Sequence, residues 1–451
     1  MTGDGLVGGT VVVSGRAELR KRGSLTLSEP RELLVGRNTR AAYLPDGGVD
    51  PETLRYWGAA ETPVDDVPER MPEGEVVASC DREVIWGGSV NGHFGHFLTE
   101  SVARLWPLLE GQSEPSVVFT TPSLQPFARE WFDAFGAELV DLPADGFVRF
   151  RRMRVPEPAW RIDDYVCPEM LDIHRRARDE LEVAGKESGG PLWLSRTEIE
   201  EGRRVRDETL LTWALKDRVE VVCPENLSLA RQVELLEAAD TVMGPIGSAF
   251  HALLLCRRIP AVVYFAPARV ASTFVAQDHL LGKGGHYVQT LATEGSGLAV
   301  EGRRQRHRIL VPETLRAMQA IAIPGLLDDS RLARFASPEL PAASPGASPD
   351  RSLDDTIATM LLDAQSVDAR MRLGGALEAV ELDDCALEQF RFVSDLVSGY
   401  SYAPLRAARL LSRVGQPQAA AEMAKRALAS DPDSEEAARY IAAAPSRAEA
   451  G

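Results

Sequence analysis

Apolar and polar positions alternate in two distinct ways along this chain. "EVIWGG" (83–88) and "SVVFTT" (116–121) read as strands flanking a helix over about 93–110. From residue 191 the alternation becomes regular. "PLWLSR", "VEVVCP", "TVMGP" and "PAVVYFA" are strands, while "DETLLTWALKD", "SLARQVELLEAA" and "SAFHALLLCR" between them have the helical period. Such a βαβ series predicts a parallel sheet covered on both faces, with ligands beyond the carboxyl ends of its strands. Two α/β halves facing across a cleft are the most economical architecture.

Residues 336–350, "ASPELPAASPGASPD", have no apolar period and read as a linker. Beyond it, 351–451 is Ala-rich and helical. There Gly415, Ala420, Ala427 and Pro432 fall at the small-residue and terminal-proline spacings of a tetratricopeptide repeat. A solenoid needs about three repeats, so a helical appendage and a peptide-binding or self-associating array both stay open. The expected domains are 1–170, 171–335 and the helical tail.

Composition narrows the classes. At 451 residues the chain exceeds what one core usually serves. A net charge of -17 and a pI near 5.0 argue against a surface for nucleic acid. Cys80, Cys167, Cys223, Cys256 and Cys385 form no close pair, which fits buried thiols in a reducing compartment. With no leader and no run of about 20 apolar residues, the expectation is a cytoplasmic protein without a transmembrane segment, a peripheral place at the inner membrane remaining open.

Three stretches carry chemistry. In "VNGHFGHFLTESVARLWPLLEG", His93, His96, Glu100 and Arg104 are spaced to share one helical face. Gly92 and Gly95 let something approach its start closely. A general base oriented by a carboxylate, a metal site and a buried polar network all suit that face. In "ADTVMGPIGSAFHALLL", a strand ending in Gly244-Pro245 turns through Gly247 into a helix opened by Ser248, whose amides could seat a phosphate. A tight βα turn without a ligand is the alternative. In "LWLSRTEIEEGRRVRDE", Ser195 and Arg196 end a strand and Arg203, Arg204 and Arg206 follow in a loop, suited to diphosphate or simply solvated. Glu225 ends the next strand on the same edge.

Together these stretches resemble glycosyltransferase family 61. "NGHFGHFLTESVARLWPLL" is similar to its first block, and the Ser-Arg, Arg-rich loop, Leu-Ser-x-x-x-Gln and Gly-Pro-x-Gly-Ser elements to its second, over roughly 83–266. Ile246 stands where the family usually has His, and His251-Ala252 replaces Thr-Asn or His-Asn. The resemblance implies an α/β, GT-B-like fold of two Rossmann-like domains facing across a cleft, plus the all-α tail. It further implies an inverting, metal-independent hexosyl- or pentosyltransferase of bacterial polysaccharide biosynthesis. No cofactor is needed besides the nucleotide-diphosphate sugar donor, and the acceptor is a glycan or glycoconjugate hydroxyl.

In that reading His96 is the base, oriented by Glu100, with His93 beside it and Asn91 and Arg104 as acceptor-side or structural support. Ser195, Arg196, Arg204, Glu225, Gly244, Gly247, Ser248 and His251 hold the donor. The competing readings are a degenerate transferase serving as a scaffold, and a metal-dependent hydrolase using His93, His96 and Glu100.

Overall fold

The structure is a computed structural model that describes residues 11–14, 17–58, 63–110, 116–120, 123–185, 189–199, 204–294, 306–321, 323, 330–338 and 353–445. Arg203 and the expected linker from 339 onward lie outside them. The chain forms two compact units, one of residues 1–195 with 219–289, the other of 196–218 with 290–451. This partition differs from the boundaries drawn at 170 and 335. Both large sheets fall in the first unit, while the helix Glu208–Leu215 of the βαβ series falls in the second.

That unit holds two five-stranded sheets. In chain order, β1 is Arg31–Val35, β2 Val76–Ser89, β3 Ser116–Thr120, β4 Leu139–Val140 and β5 Phe147–Arg154. They lie in the order β1-β5-β2-β3-β4, with β1 antiparallel to β5 and the other pairs parallel. The second sheet comprises β6 (Leu192–Leu194), β7 (Glu220–Val222), β8 (Thr241–Pro245), β9 (Ala261–Ala266) and β10 (His286–Gln289), all parallel and ordered β7-β6-β8-β9-β10. The βαβ series read from the sequence is therefore present strand for strand. β1, β5 and the long first part of β2 carried no expectation.

One hydrophobic core runs through both halves, from Ile85 and Val117 of the first sheet to Val242 and Tyr264 of the second. The helix Glu169–Glu180 explains the continuity. Its apolar face, Met170, Ile173 and Ala177, is buried, and it packs on both the helix Pro126–Phe135 and the 3₁₀ helix Ser248–Leu255. A second tie is polar. The helix Leu229–Ala238 is capped by Ser228, whose hydroxyl accepts from the Arg231 amide (3.2 Å). Its first two amides, Leu229 and Ala230, donate to the carboxylate of Glu130 from the other half (2.8 and 2.9 Å). A carboxylate at a helix N-terminus answers both the orphan donors and the macrodipole.

The second unit contains a three-stranded sheet of Val205–Arg206, Arg306–Ile309 and Leu291–Glu294. Its helices Leu353–Leu362, Val367–Ala379, Asp383–Leu396, Tyr402–Arg413, Pro417–Ser430 and Glu435–Ala442 each pack on the next. Ala420 and Ala427 are buried and Gly415 turns the chain at φ 75°. Inside this unit Arg370, wholly buried, donates to both oxygens of Asp207, at 2.8 Å to one of them, and to Gln389 Oε1 at 2.6 Å. Asp207 stands at φ 64° as the N-cap of the helix Glu208–Leu215. Glu388 accepts from the Asp207 amide and the Thr209 hydroxyl. All five cysteines are free, and among the described residues no helix is long and apolar enough to cross a membrane.

Candidate active site

The chemistry-bearing turns occupy matching places. β2 and β8 are each the third of five strands in their sheets, and each runs at its carboxyl end straight into one of the two turns. The carboxyl edge of a parallel sheet is where ligands approach. After β2, Asn91 Oδ1 accepts from the His93 amide (2.8 Å), an Asx turn that sets His93 at the head of a short helix, Phe94–His96.

The single helix expected over 93–110 is instead three pieces: this turn, a π turn over Phe97–Ser101 and a 3₁₀ turn over Trp106–Glu110. Pro107 cannot donate to the Ala103 carbonyl one turn back. That carbonyl accepts from the Ala159 amide (2.7 Å) instead.

His96 and Glu100 nevertheless meet as their spacing requires, with Nδ1 of the imidazole 2.6 Å from Oε2. The carboxylate has two further partners from a loop absent from the sequence reading. Trp57 Nε1 donates to Oε1 (2.7 Å) and Arg55 donates to Oε2 (3.2 Å). Trp57 also lies flat on the His96 ring, centroids 5.9 Å apart and planes at 11°, and Arg55 is itself forked on Asp65 (2.9 and 3.1 Å). Glu100 and Trp57 thus fix the imidazole, with Arg55 and Asp65 behind the carboxylate, and Nε2 is left for chemistry. The His93 ring stands 5.2 Å from that of His96.

Arg104 is the brace behind this arrangement. It is buried and donates to the carbonyls of Pro156, Glu52 (3.1 Å) and Leu54 (3.3 Å), so it pins the loop that delivers Arg55 and Trp57. Burial pushes its guanidinium down to about 10, still charged at neutral pH. A cavity of about 390 Å³ opens beside Glu100, lined among others by Arg55, Tyr56, Arg104, Trp160 and Arg161. Charged groups interleaved with aromatic faces suit a polyhydroxylated ligand.

On the other half, Gly244 has φ 157°, and a Cβ there would lie 2.5 Å from the Leu194 carbonyl oxygen. Its glycine serves the close contact of β8 with β6. Ser248 is the first helical residue, as read from the sequence, but the cap position belongs to Gly247, which is extended and has no side chain to offer. The helix it opens is 3₁₀, and its first internal bond runs from the Phe250 amide to the Gly247 carbonyl (3.1 Å). The Ser248 and Ala249 amides precede that bond and point out of the helix start.

The two turns touch. A Cβ on Gly95 would lie 2.9 Å from Cδ2 of His251 and 3.0 Å from Cβ of Ser248. His251 is 5% exposed and its proton affinity falls to about 4, through burial first and then through His96 and His93, against the bond to Gln277. His174, equally buried, also falls to about 4 for want of solvent. It is structural, taking a bond from Trp131 Nε1 (3.3 Å) and giving one to the Leu98 carbonyl (2.9 Å).

The remaining expected residues are placed as follows. Ser195 is buried at the end of β6, its amide donating to the Val222 carbonyl (2.8 Å), and Glu225 is exposed after β7. Arg196 and Arg204 belong to the second unit, where the Arg196 amide donates to Glu208 Oε1 (2.9 Å) and Arg204 to the Ile199 carbonyl (2.8 Å). Among the described residues no group of three or more His, Cys, Asp or Glu is arranged to hold a metal ion.

Residues 94–263 match the family model Glycosyltransferase 61, a span that takes in His96, Glu100, Ser248 and His251. The match supports a glycosyltransferase within a mixed α/β fold carrying a helical C-terminal segment. No curated protein matches the chain. Among solved structures it is similar to the crystal structures of MamA protein and MamA, each at 14% identity, TM-score 0.19 and 29% of this chain, spanning 58% and 62% of those chains. Both spans are under two thirds of those proteins, and at that TM-score the likeness carries no argument.

Proposed function

We propose that the protein transfers a sugar from a nucleotide-diphosphate donor to a hydroxyl of a glycan or glycoconjugate, with inversion, in a GT-B-like arrangement of its two α/β halves. The observation that carries this reading is the meeting of the His96–Glu100 pair with the Ser248 turn at Gly95. His96 Nε2 takes the proton of the acceptor hydroxyl as its oxygen bonds to the anomeric carbon. The bond from that carbon to the phosphate oxygen breaks, and the amides of Ser248 and Ala249 receive the charge gathering on the leaving nucleoside diphosphate. The cavity beside Glu100 supplies the acceptor side.

Inversion, metal independence and a place in polysaccharide biosynthesis follow from the family resemblance. For Ser195, Arg196, Arg204 and Glu225 a part in donor binding rests on that resemblance alone, and loss of nucleotide affinity in Arg196→Ala is its test. The decisive experiment is His96→Ala. Transfer is lost while nucleoside-diphosphate binding by calorimetry stays within about twofold; equal loss of both would overturn the division of labour.

A further inference from the structure

His251 and His96 are oriented alike but by different chemistry. Nδ1 of His251 lies 2.7 Å from Oε1 of Gln277, whose Nε2 donates to the Phe250 carbonyl (3.0 Å). Turning the amide over would set its oxygen against that carbonyl oxygen, so Gln277 has only an acceptor to offer the ring. His251 therefore carries its proton on Nδ1 and leaves a lone pair on Nε2. The ring is stacked on Phe274, centroids 4.9 Å apart and planes at 13°, and Gln277 is wholly buried. Among the described residues nothing hydrogen-bonds Nε2, and the neighbouring ring carbon Cδ2 lies against Gly95, in the turn that carries His93 and His96.

The partner decides what each imidazole can do. Glu100 sets a carboxylate beside His96, whereas the group beside His251 is the uncharged amide of Gln277. A buried base without a counter-charge remains neutral, so it offers a fixed acceptor and takes no proton.

We propose that His251 is a standing hydrogen-bond acceptor for a sugar hydroxyl of the donor whose diphosphate sits on the Ser248 turn, and that Gln277 is its positioning residue. The inference rests on the transferase reading. A ligand at this junction meets outward amides from Ser248 and Ala249 and, one helical turn away, a lone pair. That pairing matches an anionic phosphate adjoining a hydroxyl-bearing ring. The acceptor would then select the sugar, while the amides hold any nucleoside diphosphate equally.

Two measurements on the full chain test this. In ¹⁵N–¹H correlation spectra of the ligand-free protein, His251 shows the Nδ1–H tautomer and no titration between about pH 5.5 and 8, while Gln277→Glu makes it titrate within that range. In calorimetry, His251→Phe, which keeps the stack on Phe274, binds uridine and guanosine diphosphates within about twofold of wild type. It loses about tenfold in affinity for whichever nucleotide sugar of a panel binds wild type, the size of one hydrogen bond to a buried group. An Nε2–H tautomer, or undiminished sugar-nucleotide binding by the variant, overturns the inference and leaves the transferase reading intact. Failure of every nucleotide sugar to bind wild type overturns both.

Discussion

Gly95 and His251 approach so closely that a single methyl group would force them apart, since a Cβ on Gly95 falls 2.9 Å from the imidazole Cδ2. The contact joins the turn after β2 to the turn after β8, so the two halves of the proposed site are held together by the absence of a side chain. Ala in a helical turn ordinarily stabilises by about 0.5–1 kcal/mol over Gly. Here we expect Gly95→Ala to destabilise by about 1–3 kcal/mol, the usual cost of overpacking. Gly92→Ala, whose Cβ would meet only Gln125 at 3.9 Å, serves as the control and should shift stability by less than about 0.5 kcal/mol. Thermal melts of both variants decide it.

Trp57 reaches the site through Glu100. Trp57→Phe keeps a ring over His96 and removes the Nε1 donor to the carboxylate. In the transferase reading kcat falls about tenfold, the scale of lost outer-shell support for a working imidazole, while KM for the donor is unchanged. A change confined to KM would assign Trp57 to binding.

Acid should weaken the first unit before carboxylates begin to titrate. His174 and His251 take up a proton near 6.5 in the unfolded chain and near 4 in the folded one. Between those values the unfolded state binds more protons, so stability is complete above 6.5 and falls as pH drops toward 4. Each histidine contributes up to about 3 kcal/mol over that window. Denaturant titrations from pH 7 to about pH 5 that show flat stability would mean that these imidazoles are not held neutral.

The second unit should respond with the opposite sign. Burial, and after it the neighbouring Asp207, raises the Glu388 carboxyl well above the usual range. The folded state keeps a proton that the unfolded chain has already lost, so stability declines as pH rises above the ordinary carboxylate range. Glu388→Gln removes that dependence and gains more than about 1 kcal/mol over wild type near pH 8.5. Tail unfolding followed by circular dichroism reads the difference.

Much of this was legible in the residues because periodicity reports burial, and burial dominates the second half. β6 through β9 each fall where an apolar run of four to seven residues was bounded by turn residues. The pairing of His96 with Glu100 survived even the wrong helix, since a spacing of four brings side chains together in an α turn and, loosely, in a π turn. What escaped was support from afar. Trp57 and Arg55 sit in a loop without period, and nothing in "LRYWG" points to a carboxylate 43 and 45 residues away. Gln277 left a fainter mark, an amide inside the apolar helix Ser272–Leu281, where only a hydrogen-bonded partner makes burial tolerable. Arg104 was read as belonging to the His–Glu face, and its work as a brace depends on carbonyls from two distant loops.

The buried Arg370–Asp207 pair bears on how this chain can be divided. Asp207 lies in residues 196–218, which leave the first unit after β6 and return to it at β7. Stopping translation after residue 338 would spare every strand of both large sheets and still take Arg370 from Asp207, leaving it Arg308 at 3.8 Å, and would uncover the surfaces that the tail helices bury. The Ala-rich helices are therefore no detachable accessory. Gene fusions or truncations that treat them as one would yield insoluble protein, and the covalent weave through 196–218 would keep tail and sheets inherited together.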